Sequence, residues 1–279
     1  MSSLPDVEDK EALAAKAAAE STTEPPATPE LDTAKVEWLL RTGDNTLILG
    51  HRVSEWCGHG PALEEDIALA NTALDLIGQT QMWLGLAAEL RGDTTADHLA
   101  FRRDAADFRN VMLVERPNGD FGRTLMRQFL FDAFHYELLK QLKGSSDVRV
   151  AEIAEKAIKE VAYHLERSSD LVIRLGDGSE ESHRRMQAAA DNVWSYTGEL
   201  FLDDEVDAAL AEAKVAPLPS SLKAGWDAVV DAVFTEGTLT RPEGDFHHEG
   251  GKRGIHTEHL GFLLAEMQFL QRAYPDAKW

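Results

Sequence analysis

Apolar residues recur at steps of three and four along most of this chain, which is the spacing of amphipathic α-helices. The pattern begins near Val36 and predicts eight successive helical stretches, over residues 36–57, 61–79, 94–110, 118–144, 147–178, 181–201, 220–237 and 259–274. No stretch alternates polar and apolar residues for long enough to predict a half-buried strand. The expected fold is therefore all-α, a single bundle with several long helices.

The stretch DVRVAEIAEKAIKEVAYHLERSSDLVIRLGDG has the clearest amphipathic pattern. Its predicted inner face consists of Val150, Ile153, Ala157, Ile158, Val161, His164 and Leu165. This face turns His164 towards the core and leaves Glu160 at its boundary.

The segment from Ile67 to Ala88 carries one charge in 22 residues and is long enough to raise the question of a membrane span. Asn71, Asp75 and Gln79 recur there every four residues, however, and draw a polar line along one side of an apolar helix. We therefore interpret the segment as a central core helix whose polar line faces other helices.

Composition adds limits on location and partners. Residues 1–33 are rich in Ala, Glu, Ser, Thr and Pro, which predicts a disordered tail ahead of a domain over residues 34–279. Acidic residues outnumber basic ones, 49 against 28, and the net charge of -21 argues against binding to nucleic acid or to an anionic membrane. A single cysteine, Cys57, and the lack of a secretory pattern favour a reducing cytoplasm.

Several residues raise the possibility of a metal site at the bundle centre. Carboxylate-bridged di-iron bundles take one carboxylate from each of two helices and a Glu-x-x-His pair from each of two others. This chain has no Glu-x-x-His and offers Asp132-x-x-His135 and Glu160-x-x-x-His164 instead. One interpretation is a buried, hydrogen-bonded pair of Asp132 and His164. The other is an atypical iron site, with ligands drawn from Asp75, Asp132, His135, Glu160 and His164.

The stretch GDFHHEGGKRGIHTEHLG collects histidines among glycines near the C-terminal end. A zinc site there would need three or four ligands to converge, from His247, His248, His256, Glu258 and His259. The stretch fits a docking loop better, and the candidate partner-binding residues are Lys252, Arg253, His256, Glu258 and His259. Solvated charge without a partner is the third interpretation.

Four long segments resemble one known family. They are LRTGDNTLILGHRVSEWCGHGPALEEDIALANTALDLIGQ, LVERPNGDFGRTLMRQFLFDAFH, KAIKEVAYH and GGKRGIHTEHLGFLLAEMQFLQR. The family is the PaaC-type structural subunit of bacterial phenylacetyl-CoA 1,2-epoxidase, the phenylacetate-CoA oxygenase complex. The resemblance extends from Val36 to the C-terminus and implies a ferritin-like four-helix bundle core with additional helices.

The same resemblance implies a ligand set that has been lost. The iron ligands of the catalytic PaaA-type sister subunit fall on Thr46, Leu76, Gln79, Asp132, Val161 and His164 of this chain. Only Asp132 and His164 keep a ligand type, whereas Thr46, Leu76 and Val161 cannot hold iron and Gln79 is a weak neutral donor. The resemblance thus implies no catalytic residue and no cofactor in this chain, with the di-iron centre in the partner.

The first hypothesis is a non-catalytic, cytoplasmic subunit that pairs with the catalytic di-iron subunit and with other epoxidase subunits, including the reductase. Phenylacetyl-CoA at the shared interface belongs to this hypothesis, and candidate contacts include Trp38, Trp56, Trp83 and Trp194, although core packing is the favoured interpretation for any single one of them. The second hypothesis is an active di-iron oxygenase or iron-binding bundle with an atypical ligand set. A free-standing helical adaptor is the third.

Overall fold

The computed structural model describes residues 30–244, 246–275 and 277. In chain order its helices are α1 (Leu31–Ser54), α2 (Leu63–Arg91), α3 (Ala96–Phe101), α4 (Met112–Glu115), α5 (Phe121–Leu142), α6 (Val148–Gly176), α7 (Glu180–Val193), α8 (Glu205–Glu212), α9 (Lys223–Glu236), α10 (Glu258–Met267) and α11 (Phe269–Ala273). Short 3-10 turns cover Ala105–Asp107, Trp194–Tyr196, Gly198–Phe201, Pro219–Leu222 and Gly251–Arg253. The described residues contain no β-strand, so the predicted all-α, ferritin-like class is confirmed.

The four long helices α1, α2, α5 and α6 form the central bundle. Helix α1 packs along α2, and α5 packs along α6. Side-chain contacts join α2 to α6 in antiparallel order, at Glu89 with Arg149, Gln79 with Glu160, Asp75 with His164, and Glu65 with Arg167. The two pairs therefore close into one bundle whose centre lies between Gln79 and His164.

Two glycines let α1 approach α2 closely. A Cβ atom at Gly43 would come within 2.6 Å of Leu84 Cδ2, and one at Gly50 would lie 3.3 Å from Leu76 Cβ. A larger residue at either position would push the two helices apart. Glycine weakens a helix interior, and the close packing of α1 on α2 explains its presence at these two positions. This contact brings Thr46 of α1 next to α2.

Side-chain caps decide where several helices begin. Asp120 Oδ1 accepts a hydrogen bond from the Arg123 amide at 2.9 Å at the start of α5, and Asp147 Oδ1 accepts one from the Val150 amide at 3.1 Å at the start of α6. Such caps satisfy amides that have no partner within the helix. Asp147 also pairs with Lys35 of α1, so the start of α6 is tied to the bundle.

The predicted helices are found, with differences at several places. The stretch 181–201 divides into α7 and two 3-10 turns, the stretch 259–274 divides into α10 and α11, and the short helix α4 was not predicted. The stretch 94–110 divides into α3 and a 3-10 turn, and α8 was not predicted although Asp204 and Asp207 form a capping box at its start. Helix α1 begins at Leu31, inside the predicted tail of residues 1–33, most of which lies outside the described residues. None of the described helices is both long and apolar enough to cross a membrane.

The tryptophans expected at an interface belong largely to the core. Trp38 and Trp83 are buried and meet edge to face, with ring centroids 5.8 Å apart. Trp194 packs on Trp226, while the half-buried Trp56 donates from Nε1 to Thr124 Oγ1 at 3.0 Å. The interface interpretation is therefore wrong for Trp38 and Trp83, because their rings already fill the space between α1 and α2.

A close backbone contact between α6 and α9 provides a test of this packing. A Cβ atom at Gly176 would overlap the backbone of Gly237, whereas one at Gly85 would meet nothing within 4 Å. We expect Gly176→Ala to lower the free energy of unfolding by about 1–3 kcal/mol through overpacking. The matched change Gly85→Ala, in the interior of α2, should raise it by about 0.5–1 kcal/mol. Denaturant unfolding of both variants measures the difference, and equal effects would contradict the contact.

Candidate functional site

The six positions at which the resemblance places the iron ligands of the sister subunit lie in the interior of the bundle. Helix α1 supplies Thr46, α2 supplies Leu76 and Gln79, α5 supplies Asp132, and α6 supplies Val161 and His164. All six side chains are buried. The structure therefore brings these residues into the interior from four different helices, as the bundle requires of a shared site.

The positions on α1 and α2 are occupied without any charge. Thr46 Oγ1 lies 2.8 Å from Thr80 Oγ1 and 3.0 Å from the Gly43 carbonyl oxygen. Thr80 Oγ1 also donates to the Leu76 carbonyl at 2.9 Å. Because the hydroxyls bond to each other and to their own helices, this side of the centre needs no counter-charge.

Asp132 is a buried carboxylate that is held by neutral donors. Gln128 Nε2 donates to Asp132 Oδ1 at 2.7 Å, and Ser168 Oγ donates to Asp132 Oδ2 at 2.9 Å. Burial raises the pKa of Asp132 to about 6, although His164 and these two donors work in the opposite direction. Both oxygens are thus committed within the bundle.

His164 bonds to α2 and not to Asp132. His164 Nε2 lies 2.9 Å from Asp75 Oδ2, and Nδ1 is buried without a partner. The predicted hydrogen-bonded pair of Asp132 and His164 is therefore wrong, because Gln128 and Ser168 already occupy the aspartate. The predicted polar line of α2 is also wrong at its first member, since Asn71 is exposed while Asp75 and Gln79 do face α6.

His135 lies beside this cluster on α5. Both of its ring nitrogens are buried and have no hydrogen-bond partner among the residues that the structure describes, and its ring centroid lies 5.3 Å from that of Phe131. Burial, and secondarily the nearby His164, lowers the pKa of His135 to about 3. The imidazole is therefore neutral at physiological pH.

The donor set does not fit a dinuclear iron site. The described residues contain no group of three or more His, Cys, Asp or Glu side chains placed to hold a metal ion. Glu160, the remaining carboxylate near the centre, accepts a hydrogen bond from Gln79 Nε2 at 2.9 Å. Two iron ions need several carboxylates for charge balance, and here hydrocarbon or hydroxyl groups stand at Thr46, Leu76 and Val161.

Two buried carboxylates that the sequence analysis missed, Glu199 and Glu115, bind the loop that joins α9 to α10, which we call the C-terminal loop. Glu199 accepts hydrogen bonds from the amides of Gly250 at 2.8 Å, and of Gly251 and Met112 at 2.7 Å. Burial raises the pKa of Glu199, and these amides act against that rise. Nothing in the residue pattern around Glu199 signals which amides it will meet.

Glu115 binds the other end of this loop. His256 Nδ1 lies 2.9 Å from Glu115 Oε2, and the Thr257 amide donates to Oε1 at 2.6 Å. Burial opposes protonation of His256, but Glu115 and the Phe108 carbonyl outweigh it and raise the pKa of His256. His256 therefore has an intramolecular role in the structure.

The other loop candidates divide into bound and exposed residues. Lys252 Nζ donates to the Leu202 carbonyl at 2.7 Å and to Asp207 Oδ2 at 3.0 Å, so its charge is used inside the chain. Arg253 and Glu258 are exposed, and His259 is half-buried. His248 stacks on Tyr196 with ring centroids 4.3 Å apart, so the histidines of the loop point to different partners.

The titration of His135 predicts how stability depends on pH. A histidine whose pKa falls from 6.5 to about 3 on folding contributes stability above pH 6.5 that is lost as the pH falls through that window. In the parent, the free energy of unfolding should fall by about 2 kcal/mol between pH 6.5 and 5, at about 1.4 kcal/mol per pH unit. His135→Leu should not show this fall. Urea unfolding of both proteins at the two pH values measures it.

Asp132 provides the control of opposite sign. Its pKa rises from 3.8 to about 6 on folding, so its contribution to stability is lost as the pH rises from 3.8 to about 6. Compared with the parent, Asp132→Asn should therefore have a higher free energy of unfolding at pH 7, and this difference should be smaller at pH 4. A His135→Leu variant with the same acid sensitivity as the parent would contradict the assignment.

The role of Glu199 is tested by removing one acceptor oxygen. Glu199→Gln should lower the free energy of unfolding by about 1–3 kcal/mol, because buried amides lose their partner. Hydrogen exchange at Gly250 and Gly251 should also become faster. Glu249→Gln, an exposed change in the same loop, is the control and should alter neither quantity.

Comparison with known proteins shows the family of the chain. Residues 14–279 match a family model described as "Phenylacetic acid catabolic protein". A curated relative from Escherichia coli (strain K12), the C subunit of 1,2-phenylacetyl-CoA epoxidase, is 49% identical over 242 residues, which cover 87% of this chain and 98% of the relative.

Proposed function

The chain belongs to the phenylacetic acid catabolic protein family, and on that premise we propose that it is the non-catalytic structural subunit of a phenylacetyl-CoA 1,2-epoxidase. In this role it works within a cytoplasmic, oxygen-dependent monooxygenase complex of phenylacetate catabolism. It pairs with a homologous catalytic subunit of the PaaA type, which holds the di-iron centre, and residues 34–279 act as one ferritin-like domain.

The observation that carries the proposal is the composition of the bundle centre. Two of the six aligned positions, Asp132 and His164, keep a ligand type, and both are bonded to other side chains. A bundle that keeps its fold by bonding these groups internally needs no ion for stability. The chain is therefore proposed to support iron chemistry in a partner and to perform none itself.

An exposed seam on α2 supports docking of a homologous helix. Leu63, Ile67, Leu74 and Ile77 expose 71%, 53%, 67% and 39% of their surface. With Ala70 and Gln81 they recur at alternating steps of four and three, the spacing of a coiled-coil seam. The line spans about 27 Å at 1.5 Å per residue. Such a stripe is costly in water and favours a permanent helix-face contact.

Helix α6 widens this surface. Tyr163 is exposed, and the antiparallel contacts of α2 with α6 set it at about the level of Leu74. A tyrosine beside aliphatic residues is typical of an interface core. We take the α2 seam together with Tyr163 as the face that meets the catalytic subunit, and this face lies over His164 and Asp75.

A second apolar surface lies on the C-terminal helices. Phe262 on α10, Phe269 and Leu270 on α11, and Tyr274 directly after α11 are exposed, and Phe262 and Phe269 repeat at a seven-residue spacing. This surface suits another epoxidase subunit, such as the reductase. The exposed Arg253 and Glu258 lie at its start, whereas Lys252 and His256 hold the loop in place and act indirectly.

The rival function is an iron-dependent oxygenase with an atypical ligand set. It would require Asp75, Asp132, His135, Glu160 and His164 to leave their present partners and converge. The two functions are separated by measuring iron per chain and oxygen-dependent epoxidation of phenylacetyl-CoA with the protein purified alone. We expect neither activity nor stoichiometric iron, and finding both would overturn the structural role.

Docking through α2 is tested by placing a charge on the seam. Leu74→Glu should weaken binding to a co-expressed catalytic subunit at least tenfold and leave the unfolding temperature of the isolated chain unchanged, because Leu74 is exposed there. Leu90→Glu is the matched control, since Leu90 lies on the opposite side of α2 and is 41% exposed. Equal binding by both variants would exclude the seam as the docking face.

A further inference from the structure

Three arginines converge at the turn that precedes α5. Arg116 stands in the turn, Arg127 lies in the second turn of α5, and Arg52 lies at the end of α1. Arg127 donates to the Arg116 carbonyl, and Arg52 donates to the Glu115 carbonyl from Nη2 at 2.9 Å. The guanidiniums of Arg52 and Arg127 thus bond to neighbouring backbone carbonyls, and the Arg116 guanidinium is near enough to repel that of Arg127.

This region has an excess of positive charge. Arg127 is 1% exposed and donates only to neutral oxygens, the Arg116 carbonyl and Asn118 Oδ1. The carboxylate within reach is Glu55, whose oxygens accept from Arg52 at 3.0 Å and from Asn118 at 2.7 Å. Glu115 faces His256 instead. Three guanidiniums and one carboxylate leave an excess of two positive charges. Burying such charge without a counter-ion costs free energy.

The titration of Arg127 agrees with this charge count. Burial and repulsion from Arg52 and Arg116 lower the pKa of Arg127 to about 9, with Glu55 acting in the other direction. The guanidinium still carries its charge at neutral pH.

Arg116 is held in a defined orientation with donors to spare. Its guanidinium carbon lies 4.5 Å from the centroid of the Tyr196 ring, which in turn stacks on His248. The Nε atoms of Arg116 and Arg127 are both buried and have no partner, and the Arg116 side chain donates no hydrogen bond within the described part of the chain. A planar fork fixed against an aromatic ring is preorganised for an oxyanion.

We infer that Arg116 binds phosphate at the start of α5, with the buried charges of Arg127 and Arg52 behind it, because the Nη donors of those two arginines are already bonded within the chain. A phosphate dianion matches the two surplus charges, whereas a single carboxylate would balance one of them. The half-buried Arg116 opens the site to solvent, and Arg123, whose side chain folds over Gly119, adds positive charge at its rim. The inference does not depend on the proposed function, because it concerns the isolated chain.

Free phosphate and a phosphate monoester share this chemistry, and two probes distinguish them. Inorganic phosphate and adenosine 3′-monophosphate are titrated against the full chain at constant ionic strength, with chloride as the reference. We expect a saturable rise in the unfolding temperature with at least one probe, and the tighter probe identifies the source. Because the chain carries a net charge of -21, unspecific attraction of anions does not account for saturation.

Variants assign the effect to the arginines. Arg116→Gln should weaken the apparent affinity at least tenfold, and Arg116→Lys, which keeps the stem and the charge but loses the fork, should fall between it and the parent. Arg184→Gln is the control, since Arg184 is an exposed arginine paired with Glu181 on α7.

Three results would overturn the site. They are the lack of a saturable shift with either probe, an equal shift in the parent and in Arg116→Gln, and acetate as effective as phosphate at the same concentration. Unfolding of each variant in chloride is recorded first, and if Arg116→Gln does not fold, Arg116→Lys serves as the deciding variant.

Discussion

The whole structure depends on the packing of α2 against α6 across a centre that is held by hydrogen bonds between its own side chains. Gln79 Nε2 donates to Glu160, and Asp75 bonds to His164 Nε2, so both polar side chains that α2 sends towards α6 find a partner there. A buried polar group without a partner costs about as much as several good apolar contacts contribute. The bundle therefore remains closed by hydrogen bonds where a related metal site would be closed by ions.

That arrangement releases other surfaces for binding. Because α2 needs only one side for its contacts with α1 and α6, its other side can carry the exposed leucines and isoleucines that a soluble monomer rarely presents in a line. Glu115 and Glu199 anchor the C-terminal loop at both ends. A loop and a bundle held in this way agree with the proposed role, in which this subunit positions another chain.

Much of this could be predicted from residue patterns. The helices of the bundle follow from the spacing of apolar residues, and the inner face of α6 agrees with its burial at Val150, Ala157, Val161 and His164. Helix α8 was missed because it is short, and the capping box at Asp204 was its main signal. The pairing of Asp132 with Gln128 and Ser168 could not be foreseen, since it depends on which rotamers the neighbouring helices allow.

The sequence by itself determined the helical class and the family, and it predicted that Thr46, Leu76 and Val161 offer no iron ligand, because periodicity and residue identity are local properties of the chain. Only the tertiary structure decided that Asp75 is the partner of His164, that the line of apolar residues on α2 faces outwards, and that the Nε atoms of Arg116 and Arg127 have no partner among the described residues. These are outcomes of helix rotation and of contacts between residues distant in sequence. A single amphipathic pattern limits such contacts but cannot choose among them.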